Sequence, residues 1–586
     1  MKYDIRMLVA RWLLTAAMVS CPIASAQQPS SGPAVERHYK LGVDLMRKHQ
    51  LDPAIAEFRI VVRLRPGFAE GHNALGLALA QKGDTAPAAE SFRKATELDP
   101  ANYMALRNLG AALQQLGDID AAIVALKKAA ALKPNDADTH LALGLAYRQK
   151  RAADPAIEQY REAVRLAPDN AEAHFGLGFT LAARGELRGG ITELESAVRI
   201  KPDYGEAFYY LGTALWFSGD VAGAVTALRK ATELLKDHSD SHYFLGLALG
   251  KSGDLQGELS ELAAAIRLDP NKAEARFAQG QALLENEDLD AAIEAFKAAI
   301  KLKPSFTQAY VALGLALVSK RDPDGAIAVF TDGLKVDPNN LEAHHNLGMA
   351  LIQKADYAGA IAEYRKLIQL DPSSAEAHYN LGLALKNKDQ FDDAVIELRR
   401  AIELQPSMPE PHYTLGVTLL QQSKLDEAAA EFRAAVGAKS DYTAARYALG
   451  TVVQQQGRLD EAIAIFREAL KYSHDAPEIH NTLGTALRQK GDAEGARAEF
   501  QEAARLNKQK SDMQAAMFAV NTGLARLKAG DLDAAIERFE AAIKLNPDDA
   551  AAHYGLATAL QQKGQGEASK AEFEKARRLN PRLKPQ

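Results

Sequence analysis

Residues 378–406 read HYNLGLALKNKDQFDDAVIELRRAIELQP, and in them Leu381 and Leu385, then Ala394, Leu398, Ala401 and Ile402, fall at three- and four-residue intervals. That spacing lines apolar side chains along one stripe of a 3.6-residue helix, so each half of the segment predicts an amphipathic α-helix. The pattern then returns along the chain. Gly42, Gly76, Gly110, Gly144, Gly178, Gly212, Gly246, Gly280, Gly314, Gly348, Gly382, Gly416, Gly450 and Gly484 follow one another 34 residues apart without a break. Twelve residues after nearly every one of these glycines comes a small residue, usually alanine as at Ala54, Ala88 and Ala292, and sixteen after it a bulky apolar one, as at Phe58, Phe92 and Phe296. Proline closes many units, among them Pro66, Pro100, Pro134 and Pro168. A fixed period of this length predicts stacked two-helix units, each burying its apolar stripe against its neighbours.

Between the two helices many units carry Gly-Asp, as at Gly83-Asp84, Gly117-Asp118, Gly253-Asp254 and Gly491-Asp492. Glycine supplies the left-handed residue that stops one helix, and aspartate an acidic start for the next. At Asp52-Pro53 and Asp154-Pro155 the aspartate is expected to cap the second helix with proline in its first turn. The glycine inside each first helix is costly, about 0.8 to 1 kcal/mol relative to alanine. Its recurrence therefore implies a geometric need, and close approach of the second helix is the natural one.

At 586 residues the chain exceeds what one ordinary core organises, and a composition with 47% hydrophobic, 25% charged and 7% aromatic residues suits helices packed through small side chains. A net charge of -6 with both signs interspersed offers no basic stripe for a phosphate backbone, so nucleic acid is not an expected partner. Lys2, Arg6 and Arg11, the apolar run Trp12 to Val19 and the small residues Ala24-Ser25-Ala26 read as an export signal over 1–26 cleaved after Ala26. The expected location is periplasmic or secreted. Cys21 is the only cysteine and lies inside that signal. Met18-Val19-Ser20-Cys21 loosely resembles a lipoprotein box but departs from it at Met18 and at Pro22, so lipid anchoring at Cys21 is the lesser alternative. No later segment is apolar for the roughly 20 residues a transmembrane helix needs.

Leu-Gly in the first helix, Ala and then Phe, Tyr or Leu in the second, Ala three further on and a terminal Pro together resemble the tetratricopeptide repeat, over essentially residues 34–581. The resemblance implies an all-α fold, a right-handed superhelical α-solenoid of about sixteen 34-residue helix-turn-helix repeats. The expected organisation is a linker at 27–34, repeats 1–14 over 35–508, repeats 15–16 over 514–581 and a tail at 582–586. Gly484 and Gly523 are 39 residues apart, which places an insertion at 509–513 and predicts a longer connection or a bend there. Histidine mostly replaces the tryptophan that the family often has four residues before the glycine, and Lys236, Ser440, His474 and Lys508 stand where proline usually closes the unit. The last unit has Ala557 for glycine, and its charged second helix reads as a solvated cap.

His38, His72, His140, His174, His242, His344, His378, His412, His480 and His553 recur at one repeat position. Equivalent helices sit about 8 to 10 Å apart, too far for side chains to converge at the roughly 2.0 Å of zinc ligands, so these histidines read as packing residues and no metal or cofactor is expected. No phosphate-binding glycine loop, zinc-protease helix or nucleophile elbow interrupts the array, and no catalytic residues are assigned. In the family, residues three before the glycine and one, four and five after it face the concave groove. Here the first of these positions carries Tyr39, Phe175, Tyr209, Tyr243, Phe277, Tyr379, Tyr413, Tyr447 and Tyr554, and the last carries Gln81, Gln115, Gln149, Gln353, Gln421, Gln455, Gln489 and Gln562. An aromatic stripe beside an amide stripe suits an extended peptide, although the rings also have a simpler use as packing between adjacent helices. Phe208, Tyr209, Tyr210, Trp216 and Phe217 cluster in the sixth repeat, with Tyr209, Trp216 and Phe217 as the candidate anchor. The expected function is a non-catalytic protein- or peptide-binding scaffold or adaptor. The alternatives are a glycan-binding module and a substrate-presenting scaffold for a separate envelope enzyme such as a glycosyltransferase, and the terminal repeats are candidate surfaces for self-association.

Overall fold

The computed structural model describes residues 32–581. The expected signal at 1–26 with Cys21 and Ala26, most of the expected 27–34 linker and the 582–586 tail lie outside the described residues. Among those residues the chain forms α-helices from Pro33–Arg47 to Gly566–Leu579 and no strand. It divides into two compact units between Ala316 and Leu317. Each is an all-α stack of helix-turn-helix repeats, as the 34-residue period predicts.

The third repeat shows how the local chemistry makes the unit. Its first helix, Tyr103–Leu116, ends at Gly117, which takes φ +85°, a backbone conformation that favours glycine. The amide of Gly117 donates to the Gln114 carbonyl (3.1 Å) and that of Asp118 to the Leu113 carbonyl (2.9 Å), which closes the last turn. Asp118 then caps the second helix, Ile119–Leu132, by accepting from the Ala121 amide at 3.2 Å. Asp220, Asp254, Asp288 and Asp356 cap their own second helices in the same way. Asp52 and Asp154 do not. Their helices begin at Leu51 and Ala153 with Gln50 and Ala152 at the cap, so both aspartates lie one residue inside the first turn, two places beyond the capping register. They pair instead with the neighbouring repeat, Asp52 with Lys82 at 2.6 Å and Asp154 with Arg184.

The interior glycines meet their need through the large residue rather than the small one. A Cβ on Gly76, Gly280 or Gly450 would lie 2.5 Å from the ring of Phe92, Phe296 or Phe466, the bulky residue sixteen positions on. These rings are completely buried, as is the alanine twelve positions on, and together they form the interior of the helix pair. In both units successive first helices touch one another while successive second helices do not, so within each unit the first helices line the inner side of the stack.

The sequence expectation for residues 509–513 is corrected. They form neither a loop nor a separate connection but the middle of a single 36-residue helix, Ala493–Lys528, which is at once the second helix of one repeat and the first of the next. Lys508 stands in place of the usual proline, and Asn507 to Gln514 contains neither proline nor glycine to stop the helix.

Candidate functional site

The candidate surface is the first-helix side of each unit. In the carboxyl-terminal unit Tyr379, Tyr413 and Tyr447 recur at one-repeat steps, each half-buried against the core, so that part of each ring faces outward. Gln421 and Gln455, eight residues beyond Tyr413 and Tyr447 in the same helices, and Gln489 one repeat further on are exposed, with Gln454 Nε2 donating to Gln489 Oε1 at 2.9 Å. The rings are held firmly. Tyr413 lies 5.8 Å from Phe432 and 5.2 Å from Tyr442, and the Tyr447 hydroxyl shares a hydrogen bond of 3.1 Å with Thr482 Oγ1. Burial raises the Tyr379 phenol above its ordinary pKa, which keeps it a neutral hydrogen-bonding group.

In the amino-terminal unit the cluster around the sixth repeat separates into two roles. Tyr209 is only 5% exposed and packs edge-on against Tyr210 at 4.9 Å and His238 at 4.7 Å, so it belongs to the interior and not to an anchor. Its helix face is closed off by bulky neighbours that single-helix periodicity does not reveal. Tyr210 and Trp216 are half-buried against the same core, while Phe217 is 66% exposed with its ring 6.1 Å from Phe244. Tyr243 is half-buried, with the Lys272 ammonium 5.7 Å from its ring centre.

A second row of aromatics escaped the sequence reading. Phe68, Tyr204, Phe306 and Tyr442, each eight residues before a repeat glycine, close over the groove-position ring of the preceding repeat at 5.5, 5.0, 4.9 and 5.2 Å. Arg65, Lys201, Lys303 and Lys439 lie on these rings in turn, 4.8 to 5.7 Å from their centres. The signal lies in the column eight before the glycine, visible only when whole repeats are aligned.

The histidines have a structural explanation of the same kind. His174, His344 and His378 each share an Nδ1 hydrogen bond of 2.6 Å with Glu193, Glu363 and Glu397, nineteen residues on in the second helix of the same pair. Their Nε2 donates to the carbonyl oxygens of Pro168 (2.9 Å), Pro338 (2.9 Å) and Pro372 (3.4 Å) in the preceding turn. Each ring thus ties both helices of a repeat to the turn that leads into it. Among the described residues no three His, Cys, Asp or Glu side chains are grouped to hold a metal ion, and no helix is long and apolar enough to cross a membrane.

A family model described as tetratricopeptide repeat matches residues 39–103, 209–273, 259–306, 379–443 and 447–513. A second of the same description matches 283–351, and one described as TPR repeat matches 114–150, 154–185, 349–389 and 523–564. No curated protein matches. Among solved structures the chain is similar to YrrB, a TPR protein with an unusual peptide-binding site, at 24% identity over 32% of this chain and 97% of that one, with a TM-score of 0.30. MamA from Desulfovibrio magneticus RS-1 is 24% identical over 30% of this chain and 99% of its own, with a TM-score of 0.29. Yeast Tom70 is 19% identical over 72% of this chain and 96% of its own, with a TM-score of 0.30.

Proposed function

The chain belongs to the tetratricopeptide repeat family, and from that premise we propose that it is a non-catalytic scaffold or adaptor that binds an extended segment of a partner protein on the first-helix side of its repeats. One observation carries the reading: Tyr379, Tyr413 and Tyr447 present partly open rings at one-repeat intervals, and the exposed amides of Gln421, Gln455 and Gln489 recur at the same interval on the first helices. Touching helices sit about 8 to 10 Å apart, and an extended peptide advances about 3.3 Å per residue, so roughly every third residue of the guest meets one repeat. The amides can pair with a peptide backbone in either polarity, and the Tyr413 ring, already fixed by Tyr442 and Phe432, loses little freedom on contact.

The test is a peptide array beside a glycan array, followed by titration of the best peptide into the wild type and a Tyr413→Ala/Gln455→Ala variant. A loss of about tenfold in affinity is expected for truncating a central aromatic contact. Unchanged affinity, or a response confined to the glycan array, would overturn the reading. The basic start at Lys2 and Arg6, the apolar run Trp12 to Val19 and Ala24-Ser25-Ala26 support export, with a mature chain beginning at Gln27. Amino-terminal sequencing of protein recovered from the envelope or the medium decides that point.

A further inference from the structure

The continuous helix Ala493–Lys528 leaves bare two faces that the repeats elsewhere keep covered. Five residues before the repeat glycine, or before Ala557 in the last repeat, the side chain is buried in repeats 2 to 14 and in repeat 16, as at Ala377, Ala445, Ile479 and Ala552. In repeat 15 that position is Phe518, and it is 74% exposed. The bulky residue sixteen after the glycine is fully buried at Phe432, Phe466 and Phe539, whereas Phe500 in repeat 14 is only half-buried. Its ring borders an open groove of about 480 Å³, lined by Ala493, Ala496 and Ala504 and by the polar Arg488, Arg497 and Gln501. We propose that a second copy of this chain fills the groove: two copies lay their long helices side by side and antiparallel, and the Phe518 of each seats on repeat 14 of the other.

The register comes from junctions that are covered. A Cβ on Gly71, five residues before its repeat glycine, would lie 2.8 Å from Val61, nineteen after the glycine of the preceding repeat. A Cβ on Gly176 or Gly555, two before, would lie 2.5 or 2.4 Å from the ring of Tyr160 or Phe539, sixteen after. These pairings run antiparallel. Carried to repeats 14 and 15, they match Phe518 with Ala503 and the exposed Asn521 with Phe500, and both matches are centred on the same point of the helix, between Lys510 and Ser511. One chain cannot make them, because Phe500 and Phe518 lie on one unbroken helix about 27 Å apart. A two-fold axis through that point makes each match twice, as a self-complementary dimer requires. The interface is the repeat-to-repeat contact of the stack, continued between two molecules.

The side chains are complementary in that register. The exposed Met517 comes opposite the exposed Ala504, a large apolar group against a small one, and the exposed Leu524 comes opposite the stem of Arg497. The Arg488 guanidinium already lies 5.6 Å from the centre of the Phe500 ring, and Phe518 brings no like charge to it, since Gln514, Ala515, Asn521 and Thr522 flank it along the helix. Lys508 and Asp512, four residues apart on one side of the helix, fall on either side of the centre, so the Lys508 of each copy comes next to the Asp512 of the other.

The test is sedimentation equilibrium of the mature chain from Gln27. A dimer is expected by about 100 μM, and Phe518→Glu should weaken it at least about tenfold with helix content unchanged. Ile396→Glu, at another exposed apolar position, should leave the dimer intact. Oxidative cross-linking reads the register, because Cys21 is the only cysteine and a chain that starts at Gln27 lacks it. Ser511→Cys, beside the axis, should link the two copies, whereas Asn521→Cys should not, because its two copies would stand about 30 Å apart. A monomer at every concentration, a dimer that Phe518→Glu leaves intact or that Ile396→Glu disrupts equally, or a dimer that fails to link through residue 511 or links as readily through residue 521 overturns the proposal. So does a monomer that captures peptides through Phe518, which would give this face to the guest instead.

Discussion

Glu258 occupies the position twelve after its repeat glycine, where alanine is usual, and it is 8% exposed on the helix Leu255–Leu268. Gly250 makes the room, since a Cβ there would run into the Glu258 carboxyl. Burial, with a smaller contribution from Glu285, pushes the carboxyl pKa from 4.5 up to about 7. The sign follows from linkage. Below about 4.5 the group is protonated in both folded and unfolded chains and contributes no pH dependence. Between 4.5 and about 7 the unfolded chain releases the proton while the folded one retains it, so local stability falls as pH rises and levels off above 7. A unit of pKa is worth about 1.4 kcal/mol, so the full loss is at most on the order of 3 kcal/mol. The assay is native-state hydrogen exchange of the amides in 255–268, corrected for intrinsic rates, in wild type and in Glu258→Gln. A gap in opening free energy should widen in favour of the glutamine form between pH 5 and pH 8. A gap that is independent of pH, or a glutamate form that is the firmer at pH 8, would refute the reasoning.

Gly280→Ala places a Cβ 2.5 Å from the Phe296 ring and should destabilise its repeat by roughly 1 to 2 kcal/mol in chemical denaturation, despite the better helix propensity of alanine. With the ring removed, the same substitution should become stabilising by up to about 1 kcal/mol, so a double-mutant cycle without that change of sign would reject the ring-on-glycine contact. Phe296→Ala alone, at a position with no exposed surface, should cost about 3 to 5 kcal/mol in its own and adjacent repeats while distant helices persist by circular dichroism and exchange. Lys510→Pro in the middle of Ala493–Lys528 should cost about 3 kcal/mol or more and split the exchange behaviour of that helix into two segments. Uniform protection on both sides of residue 510 in that variant would count against a continuous helix.

Because the glycine, the small residue at twelve and the large one at sixteen keep step, the fold was legible from contacts inside a single helix pair. What was not legible lies between pairs. The ring of Tyr413 meets Tyr442 twenty-nine residues on, and nothing in the helical period of either segment announces the other. Tyr209 looked like a groove residue by position, yet Tyr210, His238 and Phe244 close around it, and only their sizes together decide its burial. The partnership of His378 with Glu397 was likewise hidden, because the two residues sit on different helices and each looks like an ordinary polar position on its own. Asp52 and Asp154 show the limit of a local motif: Asp-Pro marks a helix start, but which residue takes the cap is set by the turn before it, and here Gln50 and Ala152 do, two residues ahead of the aspartates.

At about 1.5 Å per residue the helix Ala493–Lys528 is a strut of roughly 54 Å whose backbone ladder passes from one repeat into the next without the usual hinge. Elsewhere in the array each turn is a place where tension can be relieved one repeat at a time. Here it is not, so a chain drawn out from its carboxyl end should yield its last repeats in one large contour step before the remainder peels away singly. The same strut carries leverage, since a load on Gly566–Leu579 is delivered along it to Pro477–Lys490 with little slack to absorb it.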